Sequence, residues 1–128
     1  MGLIEKRKMI ELQETILPGR ATEIQEICGK SIPYIVDWDS LSADAQALNF
    51  VDNVSWHRLN MALRMICADE AGKEAVREGL NEVHLKNVTD AAAMSIHFEG
   101  GILEMHCAYA KGAGGMYSDG AIRGVLEQ

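Results

Sequence analysis

The stretch 50–68, FVDNVSWHRLNMALRMICA, limits the fold more than any other part of the chain. Wound as a helix at about 100° per residue, it gathers Asn53, His57, Asn60 and Arg64 on one narrow wedge. Phe50, Val51, Val54, Leu59, Met61, Ala62, Leu63, Met65, Ile66 and Cys67 take most of the remaining circumference. A helix that packs through one face shows a narrower apolar stripe than this. A membrane span needs roughly 20 mostly apolar residues, and charges interrupt this one. The stretch is therefore expected to be the central helix of a small core, with other elements packed on at least two sides.

The chain has 128 residues, enough for one domain with a real core. A single globular domain over 1–128 is expected. Its net charge is −7, with acidic residues spread along its length. Binding to a phosphate backbone requires a basic face, so nucleic acid is not an expected partner, and neither is a membrane. The one basic run, Lys6-Arg7-Lys8, reads as the solvated side of a first helix. Cys28, Cys67 and Cys107 are widely spaced among apolar neighbours and form no CxxC pair. Buried free thiols suit a reducing compartment, and with no apolar leader at the N-terminus a cytoplasmic location is expected. Lys6 stands where a myristoylation signal requires serine or threonine. The sequons at Asn53 and Asn87 are accordingly read as accidents of composition.

The order of elements is expected to be α-α-β-α-α-β-β-β-α. Residues 3–17 and a segment ending at Cys28 carry helical spacing, as two helices or one kinked at Pro18. Gly29 is placed as a C-cap. Residues 31–38, SIPYIVDW, alternate Ile32, Tyr34, Val36 and Trp38 onto one side, and Pro33 marks an edge strand. Ser42, Asp69 and Ser118 are candidate N-caps. From Glu82 the period switches to alternation. Gly100-Gly101 reads as a two-residue hairpin loop, which pairs Glu99 with Ile102, His97 with Glu104 and Ser95 with His106. Residues 111–115 read as a mobile connector. The fold class is α+β: a small, mainly antiparallel sheet of three to four strands with about five helices on one face.

Three constellations could carry function. On the polar face of the hairpin, His97, Glu104 and His106 fall together, with His84 on the preceding strand pointing the same way. Imidazole and carboxylate at cross-strand distance can hold zinc or another divalent metal. Yet an amphipathic sheet needs a polar outer face in any case, and no cofactor is the leading expectation. Arg58 lies among apolar neighbours, so it requires a partner, with Asp37 and Asp39 the first candidates. Together with Trp38, Met61 and Met65 it could line a pocket for an anionic or apolar small molecule. Trp56, His57 and Arg64 could form an interface.

No nucleophile–base pair is legible. His57 has no serine or cysteine at a workable spacing, since Ser55 points to another side of the helix. The glycines at 112–115 match no phosphate-binding motif. The expected function is thus a non-catalytic interaction module that associates with itself as a dimer. The alternative is a pocket protein or small enzyme built on Arg58, and after it a metal protein.

Overall fold

The computed structural model describes residues 2–42, 44–51 and 56–127. It begins with α1 (Leu3–Glu11), whose helical backbone runs on through a single π-helical stretch (Leu12–Ile16) into α2 (Leu17–Cys28). The π-turn lies directly before Pro18. A proline lacks an N–H and crowds the carbonyl one turn back, and a widened turn is a common way for a helix to absorb that. The alternatives of two helices and one kinked helix therefore resolve into one helical run. Gly29 ends it at φ 74°, in the left-handed region that glycine adopts without steric cost.

Next come β1 (Tyr34–Val36), α3 (Trp38–Ser42), α4 (Ala45–Phe50), α5 (His57–Ile66) and α6 (Glu70–Gly79). Trp38 opens α3 rather than closing the strand. Asp44, not Ser42, caps α4 by accepting from the Ala47 amide at 3.1 Å. Of the expected central helix at 50–68, α5 covers His57–Ile66 and Phe50 ends α4; Asp52, Asn53, Val54 and Ser55 lie outside the described residues. Asp69 caps α6 through the Gly72 amide at 2.7 Å. A Cβ on Gly72 would run into the carbonyl of Ile66, so the α5–α6 corner is tight enough to require glycine.

The last part holds β2 (Glu82–Asn87), β3 (Ser95–Glu99), β4 (Ile102–Cys107) and α7 (Asp119–Leu126). Gly100 and Gly101 join β3 to β4 with φ 61° and 83°, and the expected hairpin register holds throughout. Residues 109–115 form 3₁₀ turns packed on α4, with Gly112 and Gly115 buried, where a mobile connector was expected. Ser118 caps α7 through the Ala121 amide at 3.1 Å.

The sheet is mixed, not mainly antiparallel. Its order is β1-β2-β4-β3, with β1–β2 and β2–β4 parallel and only β3–β4 antiparallel. The reason is connectivity. Four helices carry the chain from β1 to β2, long enough for a parallel return. The β3–β4 hairpin then folds back so that β4, not β3, fills the place beside β2. β1 is an edge strand, as Pro33 indicated.

Alternation divides the sheet into two faces. Tyr34, Val83, Leu85, Leu103, Met105 and Cys107 are buried on the inner face, against the helices. The outer face carries Ile35, Glu82, His84, Lys86, His97, Glu104 and His106, all partly or largely exposed. α5 packs against α2, α6 and α7, and buries Leu59, Asn60, Ala62 and Leu63. Burying a leucine of this kind stabilises by roughly 1.5–3 kcal/mol.

Candidate functional site

The histidines of the outer sheet face each find a carboxylate. His84 Nε2 lies 2.9 Å from Glu82 Oε2 on the same strand. Glu104 stands between two rings: its Oε1 is 2.8 Å from His106 Nε2, and its Oε2 is 3.8 Å from His97 Nε2. These pairs arise because residues i and i+2 share a face and β3 sets His97 opposite Glu104. A shallow cleft of about 230 Å³ opens beside them, lined by Ile35, Asp37, His84, Lys86, Glu104 and His106.

The expected metal centre does not assemble. Among the described residues no three His, Cys, Asp or Glu side chains are gathered as a metal site. His84 sits on the far side of Glu104 from His97 and turns to Glu82 instead. What remains among the described residues is a polar surface of histidine–carboxylate pairs beside a shallow, open cleft.

The Arg58 pocket does not assemble as drawn either. Arg58 is half-buried, and its Nη1 donates to the Tyr117 carbonyl at 3.5 Å. Among the described residues it pairs with neither Asp37 nor Asp39. Asp37 instead accepts from the Ser40 amide, at the start of α3. Trp38 lies edge-on to Trp56, with ring centroids 6.5 Å apart, and both belong to the core layer over Tyr34. Met61 and Met65 face outward from α5, away from the position given to them.

Of the three residues assigned to an interface, Trp56 is fully buried and is a core residue. Its indole Nε1 finds no partner among the described residues. His57 and Arg64 are exposed, and Arg64 lies 3.9 Å from Glu23.

Asn60 is the largest departure on this helix. It belongs to the polar wedge of the helical wheel, yet it is 2% exposed. Its Oδ1 accepts from the Tyr34 hydroxyl at 2.8 Å, while Nδ2 donates to the Arg20 carbonyl at 3.2 Å and to Glu23 Oε1 at 2.7 Å. Arg20 Nη1 donates to the same Glu23 oxygen at 3.0 Å. Burial raises the Glu23 pKa, but the hydrogen bonds from Asn60 and Arg20 and the charges of Arg20 and Arg64 outweigh it. The net shift is below the usual carboxylate value. One side chain thus ties β1, α2 and α5 together with its polar atoms satisfied. Nothing in the periodicity separates such a residue from a solvated one.

A larger concavity than the histidine cleft lies between α5, α6 and α7 and the β3 residue Phe98. It is an apolar groove of about 590 Å³. Ala71, Ala75 and Gly79 place small side chains along its α6 wall, so a partner can approach that helix closely. Met65, Val76, Leu80 and Leu126 supply apolar lining, and the ionisable residues among the described lining, Asp69 and Glu127, are both acidic. The spacing of Ala71, Ala75 and Gly79 at i, i+4, i+8 was legible in the sequence.

No family model, no curated protein and no solved structure matches this chain. Function must be read from the surfaces themselves.

Proposed function

We propose that the protein is a non-catalytic interaction module that pairs with a second copy of itself, laying α1 of each copy into the groove between α5, α6 and α7 of the other. The observation that carries this reading is the state of α1. The helix buries no residue fully, and Leu3, Ile4 and Ile10 are 79%, 81% and 51% exposed. Large aliphatic side chains clustered in water usually mark an interface.

The groove supports the match. It is apolar, floored by small residues, and rimmed by Asp69 and Glu127. α1 carries Leu3, Ile4, Met9 and Ile10 and is net basic, with Lys6, Arg7 and Lys8 against Glu5 and Glu11. An amphipathic helix docked in an apolar groove is a recurrent recognition mode, and opposite charge at the rim aids encounter and sets register. Within one chain α1 packs on α3 and α4, and none of its residues lines the groove. A reciprocal exchange closes on a two-fold axis, giving a dimer and not a filament.

Sedimentation over a concentration series tests this. The expected result is a dimer that dissociates on Leu3→Asp with Ile4→Asp, and equally on Ala75→Arg. Raised salt should weaken it, because rim charges are screened. A monomer at high concentration overturns the proposal. So does a dimer indifferent to both sets of substitutions, or a monomer that co-purifies with a small apolar molecule in the groove.

A further inference from the structure

Cys28 and Cys67 are 39 residues apart in sequence, and their sulfur atoms lie 3.4 Å apart. Both thiols are free. Cys28 is the last residue of α2, followed by Gly29 in the left-handed conformation; Cys67 caps the C-terminus of α5. Each therefore sits at a helix end, and a small approach of the two side chains closes the gap to a bond of about 2.05 Å. Cys107, the third thiol, is buried on β4 beside Tyr109 and Tyr117.

We infer that Cys28 and Cys67 form a dithiol–disulfide site that exchanges electrons with small disulfides of the glutathione type. This goes beyond the pairing proposed above and does not depend on it. The two sulfurs are unequal in a way that assigns their order. Cys67 is partly exposed, whereas Cys28 is fully buried. Burial, with the neighbouring Cys67 adding to it, pushes the Cys28 thiol up to about 12. A buried, protonated thiol does not meet an external disulfide; a partly exposed one can.

The chemistry then balances in two steps. The Cys67 thiolate attacks one sulfur of the small disulfide, forming a mixed disulfide and expelling one small thiolate. Cys28 loses its proton and attacks the Cys67 sulfur, forming the Cys28–Cys67 bond and expelling the second small thiolate. Both departing thiolates take up the two protons lost by the protein. The protein dithiol is oxidised by two electrons and the small disulfide is reduced by two. The cation of Lys73 acts on Cys28 in the sense that favours its thiolate, which assists the second step.

The test uses the intact chain and oxidised glutathione. Before treatment, three thiols should react with a maleimide after denaturation. After equilibration one should remain. Intact mass should fall by two hydrogens, and peptide mapping should join the Cys28 peptide to the Cys67 peptide. The oxidised form should melt several degrees higher, because the crosslink constrains the unfolded chain. In Cys28→Ser, a glutathione adduct should accumulate on Cys67; in Cys67→Ser, no adduct should form on Cys28. Three free thiols in the wild type after full equilibration, or a bond involving Cys107, overturns the inference. These readouts are made on the wild-type protein, so a variant that folds poorly does not blunt the test.

Discussion

α1 and α5 are helices of nearly equal length, and both carry long aliphatic side chains, yet they have opposite fates. α5 places Leu59, Ala62, Leu63 and Ile66 at the i, i+3, i+4, i+7 spacing that makes one stripe. Three elements, α2, α6 and α7, close over it. α1 places Leu3, Ile4 and Ile10 around Arg7, on a side away from the stripe of Met9 and Leu12 that continues into the body. Apolar content alone does not bury a helix. Convergence on a shared stripe does, and aliphatic residues off that stripe stay exposed.

The comparison would break most visibly at Leu63. Leu63→Ala on α5 should cost about 2–5 kcal/mol, the range for emptying a leucine site in a packed core. Urea denaturation checks it through a lower midpoint at unchanged slope. A loss below about 1 kcal/mol would mean that α5 is no more embedded than α1.

A polar residue inside that core gives the next effect. Asn60→Ala should cost about 1–3 kcal/mol, because the Tyr34 hydroxyl and the Arg20 carbonyl lose a buried partner. Part of this cost should depend on pH. The Glu23 pKa is lowered in the folded state, so its contribution is present above its unfolded value and is lost as pH falls through the folded one. Removing Asn60 removes one cause of that lowering. The gap between wild type and variant should therefore be widest near neutrality and narrow on acidification. A gap that stays constant down to pH ~2 would assign the whole effect to packing.

Local pattern and tertiary context divide what the sequence makes legible. The β3–β4 register followed from two glycines flanked by alternation, because turn geometry and the two-residue period are local. The caps at Asp69 and Ser118 were legible for the same reason. The parallel pairing of β4 with β2 was not, since alternation is identical whether a strand's neighbour is parallel or antiparallel. Asn60 and Trp56 are both buried against the expectation for one reason. A helical wheel ranks residues by chemistry, whereas burial depends on what stands opposite. Tyr34 and Glu23 make an inward asparagine cheap, and the Tyr34–Trp56–Trp38 layer takes up an indole that would otherwise serve as a surface anchor. Alternation puts the histidines on one side of the sheet, but facing the same way does not make side chains converge. The 3.4 Å approach of Cys28 to Cys67 joins two helix ends whose meeting no local pattern encodes.

The smallest expected effect sharpens the contrast most. Leu3→Ala, Ile4→Ala and Ile10→Ala combined should leave the stability of the monomer within about 0.5 kcal/mol, the usual range for exposed positions away from caps and cores. Alanine is also the better helix former, so α1 itself should persist. Under the proposed pairing, the same triple variant should lose most of its self-association, because those side chains would enter the groove. Stability measured at a dilution where the wild type is monomeric isolates the first quantity, since a dimer adds apparent stability by mass action. A large drop at that dilution would place the three side chains in their own chain's core and remove α1 as the docking helix. Unchanged stability with unchanged association would leave α1 solvated and shift the interface to another face. Unchanged stability with lost association is the outcome that separates a helix that builds the fold from one that uses it.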